Sequence, residues 1–309
     1  MNLRIFDHVV DGFGFIYGIR GNKKSNRPRC ILLYVPTNRP SSRSLNNQWY
    51  VKITDETGFT FLKENFPDLV FRNKVTEEEY VSVKKDNIVR VFHPVVSLET
   101  LIIGRKHPEL RAFCAKLNEA GVAQKDIGII GSTLIGFDLK RFHDYDLVVF
   151  GKEYVSVVQK MLRNFESLDT REVSKLAVEV GLKNNPIGYD FIQRVVRRRQ
   201  RSAINFQRKE FAIKFAMTPH KEKILPMLAP DKEICLEGRV IDDEDSCIPP
   251  YSYKVVCDQK VFQVATYSFA FINSSYKNEP VRIFGTKRVG ANLVTLDKPY
   301  HYIFSTEDL

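Results

Sequence analysis

Residues 127–151 read IGIIGSTLIGFDLKRFHDYDLVVFG, two short apolar runs with a polar segment between them. Gly131 and Ser132 end the first run, and Asp144 and Asp146 open the second with one tyrosine between them. Side chains two apart on a strand point to the same face, so this pattern places both carboxylates on one side of a strand. Mg²⁺ takes one or two protein carboxylates and fills its other positions with phosphate oxygens and water. The stretch therefore predicts a site for a nucleoside triphosphate (NTP) bound with Mg²⁺ or Mn²⁺.

The spacing of these elements resembles the signature of the polymerase β-type nucleotidyltransferase superfamily, in which a Gly-Ser pair opens a short helix and two aspartates on the next strand hold metal. Over most of its length the chain is also similar to a group of nucleotidyltransferase-domain proteins found widely in archaea. The segments that carry this wider similarity are FGFIYGI (13–19), CILLYVP (30–36), FLKENFPDLVF (61–71) and GRVIDDEDSCIPPYSYKV (238–255). The resemblance implies a fold and a reaction class, and it carries over no substrate.

The chemistry of nucleotidyl transfer assigns a role to each residue of the motif. Two metal ions can activate the attacking oxygen and neutralise the leaving pyrophosphate, with Asp144 and Asp146 as their shared ligands. Gly131 and Ser132 then bind the nucleotide, because backbone N–H groups and a hydroxyl at a helix start can hold phosphate oxygens. The polar segment between the two runs also contains Lys140 and Arg141. Each is a candidate for a phosphate contact, and the alternative is that both are surface charges without a role in binding.

The superfamily often supplies a third carboxylate from a later strand. The expected position coincides with Ala212, and Glu210 is the nearest substitute as a catalytic residue, with Asp190 a weaker one. This departure from the family pattern makes the fold a firmer expectation than turnover.

A dense basic segment lies between residues 190 and 209. We expect it to form a helix with one apolar stripe and a broad cationic face, which is either a track for a nucleic-acid backbone or a solvated surface. The predicted nucleic-acid-binding residues are Arg194, Arg197, Arg198, Arg199, Arg201, Arg208 and Lys209.

Composition indicates the charge of the binding partner and the cellular compartment of the protein. The 309 residues carry a formal net charge of +10, which favours an anionic partner such as RNA or a nucleotide. The five cysteines lack metal-binding spacing and indicate reduced thiols. With neither a secretory signal pattern nor a membrane-length apolar run, we expect a cytoplasmic protein without a membrane partner. Composition gives no indication of the oligomeric state.

The predicted fold class is α+β. Residues 1–95 are β-rich, residues 96–222 form a central nucleotidyltransferase domain with a mixed, palm-like sheet, and residues 223–309 are again β-rich. Short strands separated by turn residues indicate a small barrel or sandwich in the last region, and an OB-like barrel is one such arrangement. Its aromatic residues suit either a core or a base-stacking face; they are Tyr251, Tyr253, Tyr267, Phe269, Phe271 and Tyr276.

Local patterns add predictions for individual elements. We expect a hairpin over residues 13–35 and an exposed loop over 39–48. Helices are predicted over 57–66 and 110–120, the second with Gly121 at its C-terminus. Residues 211–217 alternate as a strand and should close the catalytic sheet.

The leading functional hypothesis is a metal-dependent nucleotidyltransferase that moves NMP from an NTP onto an acceptor hydroxyl at an RNA end. A second hypothesis changes the acceptor to a protein side chain or a small molecule. A third is a nucleic-acid-binding protein that keeps the fold and has lost turnover.

Overall fold

The structure, a computed structural model, contains mostly strands in an α+β arrangement, with five α-helices among the residues that it describes. It describes residues 2–21, 24–53, 55–104, 106–139, 144–167, 203–218, 221, 223–268, 271–298 and 300–308. Contacts divide the chain into two compact units, one of 1–71, 80–168 and 201–222, the other of 72–79, 169–200 and 223–309. None of the described helices is long and apolar enough to cross a membrane.

Strands outnumber α-helices among the described residues. The strands are His8–Asp11 (β1), Ile16–Gly21 (β2), Arg29–Thr37 (β3), Arg43–Leu45 (β4), Gln48–Lys52 (β5), Val70–Arg72 (β6), Glu79–Ser82 (β7), Ile88–Phe92 (β8), Ile127–Ile130 (β9), Asp138–Leu139 (β10), Asp144–Phe150 (β11), Glu166–Ser167 (β12), Ala203–Phe206 (β13), Lys209–Ala216 (β14), Pro230–Asp242 (β15), Tyr251–Cys257 (β16), Lys260–Thr266 (β17), Pro280–Arg288 (β18), Leu293–Thr295 (β19) and Tyr302–Ser305 (β20). The α-helices are Asp55–Asn65 (α1), Pro94–Ile103 (α2), Pro108–Glu119 (α3), Gly131–Ile135 (α4) and Val155–Leu162 (α5).

The N-terminal sheet runs in the order β10-β4-β5-β3-β2-β1-β8, with the β6–β7 hairpin attached to β3. Helix α1 covers part of it, and Leu62 and Phe66 pack into a core with Phe15 and Tyr17 of the sheet. The predicted hairpin and the predicted helix over 57–66 are confirmed. The predicted loop over 39–48 is wrong in part, because β4 and β5 form a hairpin there around Asn46–Asn47, whose left-handed backbone suits a two-residue turn.

The second sheet of the same unit runs in the order β12-β13-β14-β11-β9. Strand β11 is parallel to β14 and antiparallel to β9. Helix α3 covers one face, where the Phe113 and Phe211 rings lie 4.2 Å apart and Tyr145 stacks on Phe211 at 5.0 Å. The predicted helix over 110–120 is confirmed as α3, and Gly121 follows it with a φ of +97°.

Two expectations for this sheet are wrong. The strand predicted over 211–217 exists as β14, yet it does not close the sheet, because β13 and β12 continue beyond it. The basic segment is also not helical in its last part. Ala203–Phe206 pairs with Lys209–Ala216 across a two-residue turn at Gln207–Arg208, so cross-strand hydrogen bonds and the buried Ile204 stabilise a strand in place of the predicted helix.

The second unit contains a closed barrel of five strands in the order β15-β16-β17-β19-β18, completed by pairing of β18 with β15; β20 adds to the outer side of β18. β15 pairs with both β16 and β18 because it is long, and its register shifts between Val240 and Asp242. Gly238 allows a close approach of β16, since a Cβ there would lie 2.4 Å from the Val256 carbonyl oxygen. The barrel form of the C-terminal region is confirmed. Tyr251, Tyr253 and Phe271 are buried, so the base-stacking alternative is wrong for these three.

Candidate active site

The Gly-Ser turn is shaped by the aspartate opposite it. Gly131 has a φ of +70°, and a Cβ at this position would lie 2.5 Å from Asp146 Oδ2. Only glycine tolerates both the left-handed backbone and this approach. The linear pattern Gly-Ser…Asp-x-Asp thus corresponds to a direct contact between the two halves of the motif.

Ser132 lies in the first turn of α4, and its side chain is half-buried. The N-cap position of α4 is Ile130, with no side-chain cap, so Ser132 is not an ordinary N-cap. Within the described part of the chain its hydroxyl has no hydrogen-bond partner. The group is therefore available to a ligand beside Asp146.

Asp144 and Asp146 lie on one face of β11, as the alternation predicts, while Tyr145 and Leu147 are buried on the other face. Among the residues that the structure describes, neither carboxylate forms an ion pair or a side-chain hydrogen bond. Partial burial, followed by the charge of Asp146, raises the pKa of Asp144 above its ordinary value. Two carboxylates that lie on one face without an ion-pair partner repel each other, and a bound divalent cation would offset this repulsion.

The register of β14 gives the position of the third carboxylate candidate. Asp144 pairs with Glu210 and Asp146 pairs with Ala212 on the neighbouring parallel strand. Glu210 therefore shares the face of the aspartates, and Ala212 occupies the position next to Asp146. The described residues contain no group of three His, Cys, Asp or Glu side chains arranged to hold a metal. Two carboxylates nevertheless fit Mg²⁺, which completes its shell with substrate phosphates and water.

The N-terminal sheet reaches the same site. Phe137, five residues after Ser132, packs against Tyr34 and Tyr50 with ring centroids 4.9 and 5.3 Å apart, and β10 pairs with β4. The charges of Lys52 and Arg43 lower the pKa of Asp144 and so counteract part of its rise. Sequence reasoning missed both cations. The alternation in 48–52 was the available signal, because it places Tyr50 and Lys52 on one face of a strand.

The remaining predicted residues divide into two groups. Arg208 is exposed in the β13–β14 turn, and Lys209 opens β14 at the same end of the sheet as Asp144. The other candidates lie outside the described residues; they are Lys140, Arg141, Asp190, Arg194, Arg197, Arg198, Arg199 and Arg201.

Comparison with known proteins found no match to a protein-family model, to a curated protein or to a solved structure.

Proposed function

We propose that this protein is a Mg²⁺-dependent (or Mn²⁺-dependent) nucleotidyltransferase that moves NMP from an NTP onto an acceptor hydroxyl, with an RNA end as the acceptor. The observation that carries the proposal is the contact of Gly131 with Asp146 Oδ2. It supports a palm-like core of polymerase β type, since a bare turn followed by solvated acids would not bring the two halves of the motif together.

Each residue of the site has a defined task in this reaction. Asp144 and Asp146 hold the metal, which when bound neutralises charge at the reacting phosphate and the leaving pyrophosphate. The Ser132 hydroxyl donates a hydrogen bond to an oxygen of the β- or γ-phosphate. Glu210, beside Asp144 on the same face, is the group placed to accept the proton of the attacking hydroxyl.

The acceptor binds through cations of residues 1–222. Residues 223–309 contain ten Lys and Arg against twelve Asp and Glu, a net charge of −2, so residues 1–222 carry +12. The pairing of β15 with both β16 and β18, and the parallel pairing of β17 with β19, support an OB-like arrangement of the barrel. Because the barrel region has a net negative charge, we assign the phosphate backbone of the acceptor to residues 1–222.

The test is transfer of label from each α-labelled NTP, with Mg²⁺ or Mn²⁺, into total cellular RNA. The Asp144→Asn/Asp146→Asn variant should abolish transfer. A charge-matched control, Asp68→Asn/Asp86→Asn, changes two exposed acids of the same unit and should leave transfer intact. Label that appears in protein or in a small molecule instead would move the acceptor to the second hypothesis. Transfer that survives in the Asp144/Asp146 variant would refute the proposal.

One observation favours a second candidate, a nucleic-acid-binding protein without turnover. Ala212 stands beside Asp146, and no third metal-ligating side chain joins the two aspartates among the described residues. This candidate predicts metal-dependent NTP binding and salt-sensitive RNA binding, without label transfer from any of the four NTPs.

A further inference from the structure

We propose that the N-terminal sheet forms the second wall of this site and that Arg43 and Lys52 bind the triphosphate of the nucleotide. The inference rests on the proposed function and deepens it, because it assigns phosphate-binding residues outside the Gly-Ser…Asp-x-Asp motif. It also gives the N-terminal region a part in substrate binding beyond support of the catalytic sheet.

Strand pairing places these residues on one face of the N-terminal sheet. Tyr34 of β3 pairs with Lys52 of β5, and Arg43 of β4 pairs with Tyr50 of β5. Directly paired residues share a face, and so do Tyr50 and Lys52, which are two apart on one strand. The face therefore presents two tyrosines and two cations together.

This face is directed toward the catalytic motif. Phe137 packs on both tyrosines, at 4.9 Å from Tyr34 and 5.3 Å from Tyr50. Leu139, two residues further on, pairs with Arg43 across the β10–β4 ladder. The segment that follows the Gly-Ser helix is thus paired with β4, and this pairing holds the backbone of Arg43 next to that of Leu139.

The electrostatics agree with this placement. Arg43 and Lys52 both act on Asp144, and the two aspartates act on Tyr34, so all these groups lie within interaction range. Asp144 and Asp146 form no ion pair with any residue that the structure describes, and this includes Arg43 and Lys52. Cations facing carboxylates across a gap leave room for a ligand that touches both, and a metal-bound triphosphate has that distribution of charge.

The surroundings of the Arg43 side chain favour a role in phosphate binding. Its guanidinium lies 5.9 Å from the centre of the Tyr34 ring, which limits its movement. Its Nε is buried and has no hydrogen-bond partner in the described residues. An unsatisfied buried donor is costly, and a phosphate oxygen would satisfy it. Lys52 is exposed and adds a positive charge to the same face.

The test is the affinity of the full-length protein for inorganic triphosphate and for each NTP, measured by titration calorimetry with Mg²⁺. We expect Arg43→Gln and Lys52→Gln each to raise the Kd for inorganic triphosphate about tenfold, since a charged hydrogen bond contributes about that much. Arg43→Lys should recover part of the loss. Lys84→Gln removes an exposed charge in the turn before β8, at the opposite edge of the sheet from β4, and serves as the matched control.

Several results would overturn the inference. One is a Kd in both variants within twofold of the Lys84→Gln control, and another is a wild-type protein that binds no triphosphate. Weaker RNA binding with an unchanged triphosphate Kd would assign the cations to the acceptor instead. Because Lys52 is exposed, its variant remains informative even if Arg43→Gln fails to fold.

Failure of the proposed function gives a different pattern. A wild-type protein that transfers no label, and whose triphosphate binding still depends on Arg43 and Lys52, would keep this inference and reject turnover. Label transfer by the wild type, with triphosphate binding unaffected in both variants, would support nucleotidyl transfer and reject the role of Arg43 and Lys52 in triphosphate binding.

Discussion

At the scale of single residues, Gly131 has the most exacting position in the site. Gly131→Ala adds a Cβ to a residue with φ +70°, 2.5 Å from Asp146 Oδ2. We expect a loss of about 1–2 kcal/mol in the free energy of unfolding from backbone strain. We also expect loss of metal-dependent NTP binding, because the carboxylate must move. Chemical denaturation and calorimetric titration measure the two effects.

Gly136 provides the control for this substitution. It has a φ of +76°, nearly that of Gly131, and a Cβ there would meet no atom within 4 Å. Gly136→Ala should therefore show the backbone strain alone and retain NTP binding. Equal loss of binding in both alanine variants would mean that the Asp146 contact has no part in the site.

Asp144 gives a prediction that links stability, pH and metal. Its raised pKa means that folding favours the protonated carboxyl, so this contribution to stability is present below the ordinary pKa of 3.8 and disappears as pH rises through the folded value. Without divalent cations, Asp144→Asn should melt a few degrees above the wild type at neutral pH, and the gap should narrow toward pH 4.

Mg²⁺ should reverse this order. It should raise the melting temperature of the wild type and have little effect on Asp144→Asn, because binding of the ion compensates the two carboxylates. Asp86→Asn, an exposed acid in the same unit, is the control and should match the wild type in both conditions. Equal Mg²⁺ stabilisation of Asp144→Asn and wild type would exclude Asp144 as a ligand.

At the scale of elements, a contact between a buried aspartate and an exposed histidine connects the residue before β1 with the residue before α2. Asp7 is fully buried, with Oδ1 3.2 Å from His93 Nδ1, and His93 directly precedes the first residue of α2. Burial raises the pKa of Asp7 to about 6, against smaller opposing effects of His93 and Arg4. The stability that protonated Asp7 contributes is complete below 3.8 and is lost as pH rises through about 6.

Asp7→Asn should remove this dependence. Between pH 4 and pH 7 the free energy of unfolding of the variant should gain about 2 kcal/mol relative to the wild type, as measured by urea denaturation. The Asp86→Asn control should follow the wild type across the range. Parallel curves for Asp7→Asn and wild type would show that Asp7 titrates as in the unfolded chain.

Elements with a local signal were predictable from the sequence, and elements defined by pairing were not. The apolar period of α3 and the alternation of β11 each reside in one segment, so both were predicted. Ala203–Phe206 was predicted to belong to a helix with one apolar stripe and a cationic face, yet pairing with β14 makes it a strand. Strand β19 has only three residues and is defined by partners distant in sequence.

The site follows the same rule. Asp144, Asp146 and Gly131 stand close in sequence, and their pattern identified them. Arg43 and Lys52 lie about a hundred residues earlier, and only the β10–β4 ladder and the packing of Phe137 bring their face to the aspartates. No spacing rule in a single sequence predicts that contact.

At the scale of the whole molecule, the excess of positive charge lies in residues 1–222, with +12 against −2 for the barrel region. Binding of RNA releases counterions, so the logarithm of the association constant should fall linearly with the logarithm of salt concentration. The magnitude of this slope is proportional to the number of RNA phosphates that the cations of the protein contact. A protein that uses residues 1–222 for the RNA backbone should therefore show a smaller slope only when cations of that part of the chain are removed.

Two hairpin turns allow a matched test of this division. Arg208 lies in the two-residue turn before β14. Lys260 is the first residue of β17 and directly follows the two-residue turn Asp258–Gln259. Both side chains are exposed. Arg208→Gln should weaken RNA binding and reduce the salt slope by about 1, as expected for one lost phosphate contact. Lys260→Gln removes the same charge from the barrel and should leave the slope unchanged. The opposite result, measured by fluorescence anisotropy across a salt series, would place the RNA backbone on the barrel and would make the barrel, rather than the charge of residues 1–222, the feature that selects the acceptor.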